Sequence, residues 1–381
     1  MMNTGTQPEA VERILFVSST AIGGSGRSQR ELDAHLRTHG VRTLMLVDDG
    51  EGGRIQRFLH EQLWDVSVRF HDRGVLGSAS ERLRSLPGRH ARHDDSRAGD
   101  VRVSLAPENA FTELVVDFKP QVVVGSSIAR PSWRTIRQAC AELQIPSVLY
   151  LREAEALGHL DHRPPHELVL ANSRTLQRAA RVRNTKALYI PSVTDTSATT
   201  CVTSRDAIML INPIESHGLD LIPELASTFP TTPFILQESW PLTAPQRRAV
   251  DSVLAGNPNV TFRPITEPAS IFRDTGLLLV PHQIDNRPRV VLEAQANGIP
   301  VIATDQPGLV EAVGPGGVCL SSDASMIEWT DTIDAIWSNP ARYTELERAA
   351  REHAERPEVR PATVVQAFLG ALEVVHNKVR L

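Results

Sequence analysis

The chain has 381 residues, of which 41% are hydrophobic and 22% charged, and its formal net charge at pH 7 is −5. That length exceeds what one ordinary core organises and predicts two domains. The near balance of charge leaves no electrostatic footprint for nucleic acid.

The first element is RILFVS (13–18), an apolar run that reads as a buried strand, followed by STAIGGSGRS and the amphipathic helix RSQRELDAHLRTHG, which Gly40 ends. VRTLMLVD (41–48) is the next strand, so the chain opens with a βαβ unit whose helix starts beside a Gly-rich loop. Residues 50–110 carry little pattern; within them RLRSLPGRHARHDDSR (82–97) is basic, Gly/Pro-broken and expected to be a solvated loop. Strands follow at 121–127, 146–153, 166–173 and 187–193, with helices at 132–144 and in the arginine-rich stretch before 187.

TDTSATTCVTSRD, small and polar, reads as an interdomain linker. A second series then begins with strand AIMLIN (207–212) and helix GLDLIPELASTF (218–229). Strands at 233–239, 260–264, 275–281 and 300–305 alternate with helices at 245–256 and from Pro288. Val318–Leu320 adds a short strand, and the chain from Ala324 onward is helical. Two such series predict an α/β protein made of two facing Rossmann-like, doubly wound parallel-sheet domains. The expected division is a first domain over 11–193, a linker over 194–205, a second domain over 206–360, and a final helical segment over 361–381. Ligands bind such sheets at the carboxyl ends of the strands, so the site is expected in a cleft between the domains.

Two segments carry chemistry. GGSG at 23–26 gives backbone freedom at a helix start, which suits close approach to a phosphate or sugar, or simply a tight turn. It is not the full dinucleotide fingerprint, which leaves a nicotinamide-dependent oxidoreductase a distant reading. DNRPRVVLEAQANGIPVIATDQPGLVEAVGPGG (285–317) is a short helix, a Gly-Ile-Pro break, a buried strand and a Gly-rich turn leading to Glu311. Asn286 is expected to cap that helix, Pro288 to sit in its first turn and Gly298 to end it. Arg289 and Glu293 are four apart, which fits an exposed ion pair. It fits equally a Glu293 that faces the cleft and accepts hydrogen bonds from vicinal hydroxyls.

The second segment resembles the donor-binding region of family 4 retaining glycosyltransferases of the GT-B fold. The resemblance rests on Asp285 and Glu293 eight positions apart, AQANGIPVIATD and GLVE at 308–311. The GGSG loop, LANSRT (170–175), IPSVTD (190–195) and INPIESHGLDLIPELA (211–226) extend it. It implies transfer of a hexose-type sugar from a nucleoside-diphosphate sugar to an acceptor hydroxyl with retention of configuration. Glu293 would bind the ribose and Asp285 the transferred sugar. Gly23 and Gly24 would wall the diphosphate and sugar, and Arg263 would lie near the base. The final helix is expected to return to the first domain.

The resemblance also marks departures. The family's Arg and Lys that neutralise the diphosphate stand here as Asn212 and His217. Arg287 or Arg289, with a protonated His217, is expected to supply the missing charge. Where relatives have a histidine lining the acceptor side, this chain has Arg152 and Glu153, which fit either that role or a structural pair. No DxD and no metal-cage spacing occurs, so neither a metal nor a cofactor is expected beyond the nucleotide sugar as co-substrate. The acceptor that the resemblance implies is a small molecule, a glycan or a lipid-linked carrier. Alternatives are a degenerate nucleotide-sugar-binding subunit and a nucleotide-sugar epimerase.

The chain's lysines are Lys119, Lys186 and Lys378, so arginine carries nearly all its positive charge, as in a GC-rich bacterial genome. Cys140, Cys201 and Cys319 are odd in number and scattered, which fits a reducing cytoplasm better than a disulfide framework. The N-terminal residues have no signal-peptide core and no apolar run reaches 18 residues. No membrane span is expected, and peripheral membrane contact is left open.

Overall fold

The computed structural model describes residues 9–18, 23–47, 91–95, 99–104, 107–128, 130–161, 163–164 and 166–379. Its first half is built on β1 (Arg13–Ser18), α1 (Gly23–Thr38), β2 (Arg42–Val47), β3 (Ala91–Asp95), β4 (Gly99–Val103) and α2 (Pro107–Phe118). It continues through β5 (Val122–Ser126), α3 (Arg130–Glu142), β6 (Ser147–Leu151), β7 (Leu168–Ala171), α4 (Arg174–Val182) and β8 (Ala187–Tyr189). These strands form one eight-stranded sheet in the order β3-β4-β2-β1-β5-β6-β7-β8, parallel except for the β3–β4 pair. The central strands are apolar along both faces because helices cover both.

The second half runs from β9 (Ala207–Ile211) and α5 (Ile222–Thr228) through β10 (Phe234–Gln237), α6 (Ala244–Gly256), β11 (Val260–Arg263) and β12 (Thr275–Val280). It then adds α7 (Arg289–Ala296), β13 (Val301–Thr304), α8 (Pro307–Val313), β14 (Gly317–Leu320), α9 (Met326–Trp337), α10 (Pro340–Ala354) and α11 (Pro361–Val379). Its sheet is six-stranded and parallel, in the order β11-β10-β9-β12-β13-β14. Strand order reverses at β1/β5 in one sheet and at β9/β12 in the other, and those two crevices are where the site lies.

The last helix crosses back. Val364, Val365, Phe368, Leu372 and Val375, at helical spacing, are buried with Ile14, Phe16 and Tyr150 in the first sheet's core. The Phe368 ring lies 6.3 Å from Phe16 and 6.2 Å from Tyr150. Burial of such a ring stabilises by roughly 1.5–3 kcal/mol, which ties the end of the chain to its beginning.

Several local expectations change. The stretch expected as a solvated loop at 82–97 lies partly outside the described residues, but 91–95 form the antiparallel edge strand β3. Strand β4 and the first turn of helix α2 lie in the 50–110 region that carried no readable pattern. The GGSG glycines are the first turn of α1 rather than a loop before it, with Gly23 at φ 73°. The helix expected at 218–229 is a 3-10 turn over 219–221 followed by α5. GLVE belongs to α8, not to a turn. Pro288, rather than Asn286, takes the N-cap position of α7, and no side chain caps it.

A buried carboxylate in the first domain sets a pH dependence. Burial pushes Glu167 up to about 7, outweighing the Arg137 guanidinium 3.5 Å away. The folded state therefore holds a proton that the unfolded chain releases near the ordinary carboxylate range. Stability falls as pH rises through that window toward 7. Glu167→Gln should flatten the dependence of Tm on pH between about pH 5 and 8, read by thermal denaturation. An unchanged slope would contradict this assignment.

Candidate active site

The cleft between the two sheets holds a cavity of about 610 Å³. It is lined from the first domain by Gly23, Gly24, Arg27, Ser28, Arg152 and Glu153. The second domain contributes Asn212, His217, His282, Arg287, Arg289 and Glu293, among others. Each comes from the carboxyl end of a strand or the start of the helix after it. The first N–H groups of α1 and α7 have no intrahelical acceptor, so two positive helix ends meet the cavity.

At its centre lies a four-charge cluster that spans the domains. Arg289 donates from Nε to Glu293 Oε1 at 2.9 Å, from NH1 to Ser28 Oγ at 3.1 Å and from NH2 to Glu31 Oε1 at 2.7 Å. Arg27 donates to the same Glu31 oxygen at 3.1 Å and approaches Glu293 Oε1 at 3.3 Å. Glu31 Oε2 accepts the backbone N–H of Asp195 at 2.8 Å, which draws the linker into the cluster. Burial works against charge on Arg289, but Glu293 and Glu31 outweigh it and hold its pKa above the ordinary arginine value. Arg289 and Glu293 thus form the i,i+4 pair read from the sequence, but a buried one that faces the cleft. A Cβ at Gly24 would stand 3.5 Å from Arg289 Cδ, so the glycine brings α1 close to this arginine.

Arg287 is held less tightly. Its nearest carboxylate, Glu311 Oε1, is 3.8 Å away, within ion-pair range but too long for a hydrogen bond, and its buried Nε has no acceptor among the described residues. Glu311 is committed elsewhere: it accepts the backbone N–H groups of Arg174 at 3.0 Å and Thr175 at 3.2 Å, the start of α4 in the other domain. A carboxylate at a helix N-terminus is favourable, and here it clasps the two domains. Asp285 also binds backbone, accepting Gly308 N–H at 2.7 Å. It lines a small side cavity with Arg152 and Arg287 rather than the main one. Gly308 is required for that approach, since a Cβ there would meet Asn286 O at 2.4 Å.

Asn212 and His217 serve the local fold. Asn212, at φ 55°, accepts Ser239 N–H at 2.9 Å and Ser239 Oγ–H at 2.8 Å on its Oδ1. Its carbonyl lies 3.1 Å from His217 Nδ1. The His217 ring stacks on His282 at 3.9 Å and meets the edge of Trp240 at 5.7 Å. Burial lowers the His217 pKa, and it pushes His282 down to about 3, with His217 adding to the shift. The protonated His217 expected from the sequence is therefore corrected to a neutral imidazole at pH 7. Arg263, whose backbone the resemblance sets near the base, pairs its side chain with Asp274 at 2.6 Å and is not among the residues that line the cavity.

On the first-domain wall, Glu153 accepts Ser127 Oγ–H at 2.7 Å, and Arg152 donates to Ser25 O at 3.0 Å and Gln29 Oε1 at 2.9 Å. The two are neighbours in sequence without being ion-paired among the described residues. Sequence reading missed Arg27, Ser28 and Glu31; the Arg27–Glu31 spacing on α1 was the available signal. His282 and Trp240 gave none.

Residues 257–353 match the family described as Glycosyl transferases group 1. D-inositol 3-phosphate glycosyltransferase of Gordonia bronchialis is 39% identical over 102 residues, 26% of this chain and 22% of that protein. The enzyme of the same name from Arthrobacter sp. is 34% identical over 107 residues, 28% of this chain and 25% of that protein. The aligned part thus spans about a quarter of the length of the curated relatives. Sucrose-phosphate synthase from Thermosynechococcus elongatus superposes with a TM-score of 0.70 at 14% identity, over 94% of this chain and 97% of that one. Anabaena HepE in complex with UDP-glucose gives 0.70 at 14%, over 95% and 99%. The fold is GT-B, two facing Rossmann-like domains. The stretch of the second domain that matches the group 1 family includes α7, Asp285 and Glu293.

The cluster makes a stability prediction. Removing one partner of a buried ion pair costs about 3–5 kcal/mol, and here Arg27 remains beside both carboxylates, so Arg289→Met should cost roughly 2 kcal/mol. Urea denaturation checks this, and Arg289→Met combined with Glu31→Gln should lose less than the two single changes together. Strict additivity would mean that the two residues are not coupled.

Proposed function

We propose that this protein moves a sugar from a nucleoside-diphosphate sugar to an acceptor hydroxyl, retaining the anomeric configuration and without a metal. The observation that carries the reading is the position of Glu293: buried on α7, facing the cavity, with both its recorded contacts on Oε1. That leaves Oε2 for the vicinal hydroxyls of a ribose, while Arg289 and Arg27 fix the carboxylate's orientation. The glycosyl transferases group 1 match over this segment supports the same reading. Anabaena HepE in complex with UDP-glucose, a structure of the same fold, supports a nucleotide-sugar donor.

Charge at the leaving diphosphate is the critical requirement, because negative charge gathers there as the glycosidic bond breaks. Asn212 and His217 do not supply a cation, and Arg289 is balanced by two carboxylates. Arg287, which lines the cavity and has only the ion pair with Glu311 at 3.8 Å, is the proposed stabiliser, aided by the helix N-termini at Gly23 and at Arg289. The acceptor hydroxyl would enter beside Glu153, its proton passing to the departing phosphate oxygen. Asp285 is proposed to act at one remove, holding Gly308 and so the loop that carries Arg287. The rival with a specific observation behind it is a nucleotide-sugar-binding subunit without turnover, since the family's Arg and Lys are absent. The epimerase alternative is not favoured. A cytoplasmic location is proposed from the three free cysteines; among the described residues no helix is long and apolar enough to cross a membrane.

Glu293→Gln should weaken nucleoside-diphosphate binding by about 10- to 100-fold, the worth of hydrogen bonds to a charged group, measured by calorimetry with UDP and GDP. Unchanged affinity for both would remove the central support. Arg287→Ala should lower kcat about 100-fold or more while changing donor affinity much less, because its charge acts mainly on the leaving group. Full kcat in that variant would sink the compensation idea, and nucleotide binding by the wild type with no transfer would favour the rival.

A further inference from the structure

The first-domain wall holds a second polar constellation that the donor reading does not use. Arg152 follows β6 and is 5% exposed. Its NH1 and NH2 are spent on Ser25 O and Gln29 Oε1, and its guanidinium carbon lies 4.6 Å from the centre of the Tyr150 ring. These three contacts fix the plane of the group without neutralising it. Among the described residues no carboxylate lies within ion-pair distance, and its Nε–H, buried, has no acceptor. Glu153, the nearest acid in sequence, is turned to Ser127.

Two more buried atoms without partners are tied to the same arginine. Gln29, 2% exposed, gives Oε1 to Arg152 and leaves Nε2 with no acceptor. Asn172, 6% exposed, donates from Nδ2 to the Arg152 carbonyl at 3.2 Å and leaves Oδ1 with no donor. Arg152 and Asn172 line the main cavity; Gln29 does not, and acts on Arg152 from behind. A fixed cation and an amide acceptor at the cavity, removed from water and unsatisfied, are costly unless a ligand completes them. The guanidinium suits an anionic oxygen, and the lone amide acceptor suits a hydroxyl beside it.

We propose that Arg152 and Asn172, with Gln29 positioning the guanidinium, form a subsite for an oxyanion, a phosphate or carboxylate carried by a substrate in addition to the donor's diphosphate. This rests on the transferase reading for its biological meaning, but the subsite is a property of the first-domain wall and can be tested alone. The oxyanion comes either from the acceptor or from the transferred sugar; in both cases Arg152 is a specificity residue that reads charge, and Asn172 reads the adjacent hydroxyl.

The test is calorimetry of the full chain with inorganic phosphate, with and without saturating UDP. With UDP saturating the diphosphate site, the wild type should bind one phosphate; without UDP, any second phosphate should be insensitive to position 152. Arg152→Gln should weaken binding of the phosphate seen with UDP at least 10-fold, Arg152→Lys should weaken it less, and both should keep UDP affinity within about twofold. Equal phosphate binding by wild type and Arg152→Gln, an adventitious ion only, overturns the subsite, as does no phosphate binding by the wild type. Parallel loss of UDP and phosphate affinity also overturns it, because Arg152 would then serve the diphosphate. Should Arg152→Gln fail to fold, the Arg152→Lys variant and an Asn172→Ala variant read the same difference. Arg152-dependent phosphate binding without any nucleotide binding would keep the subsite and sink the transferase reading. The two sources separate on ligand pairs: a preference for UDP-glucuronate over UDP-glucose that Arg152→Gln abolishes assigns the oxyanion to the transferred sugar. A preference for phosphorylated over plain sugars in the presence of UDP, lost in the same variant, assigns it to the acceptor.

Discussion

The Arg289–Glu293 pair, shared with Arg27 and Glu31, is the interaction on which the rest of the cleft depends. Two cations and two carboxylates alternate across the gap, so no member is left buried alone and the cost of desolvating each is offset by two neighbours. The arrangement joins α1 to α7, and both helices begin at the cavity. It fixes the orientation of Glu293, and with it the direction in which a hydroxyl-binding carboxylate points. A second contact of the same kind, Glu311 on the start of α4, joins the domains a short distance away. Both are charge-assisted, and both draw on arginine or backbone rather than on lysine.

The distribution of charge follows from those commitments. Arg289 is neutralised, His217 and His282 are stacked and held uncharged by burial, and Asn212 is turned into the fold. Among the described residues, Arg287 on one wall and Arg152 on the other line the cavity with a buried Nε that has no acceptor. The planar guanidinium lets Arg152 spend two nitrogens on Ser25 O and Gln29 Oε1 while the third stays unused. An ammonium at position 152 would lose those anchoring contacts along with its direction.

Much of the fold was legible in the sequence because parallel strands buried on both faces are uninterrupted apolar runs, as in RILFVS and TGLLLVP, and each is followed by a Gly, Pro or polar break. Both sheets and the segment from Asp285 to Gly317 could be read that way. The edge pair β3–β4 could not, since its strands are polar and carry no period that separates them from a loop. Individual roles in the site were less legible. Arg289 and Glu293 at i,i+4 spacing fit both a solvated pair and a buried one, and only packing against α1 decides between them. His217 looked available for protonation because sequence does not reveal the ring of His282, 65 positions on, stacked against it. Asp285 was assigned by resemblance, and its side chain is bound to the backbone of Gly308, a partner that sequence does not reveal.

A crystal structure of the protein with a bound nucleoside diphosphate tests the central claim most directly. The ribose hydroxyls should lie within about 3 Å of a Glu293 carboxylate oxygen, with the diphosphate beside Gly24 and Arg287. A nucleotide bound elsewhere, with Glu293 still closed against Arg27 and Arg289 and no hydroxyl in reach, would contradict it.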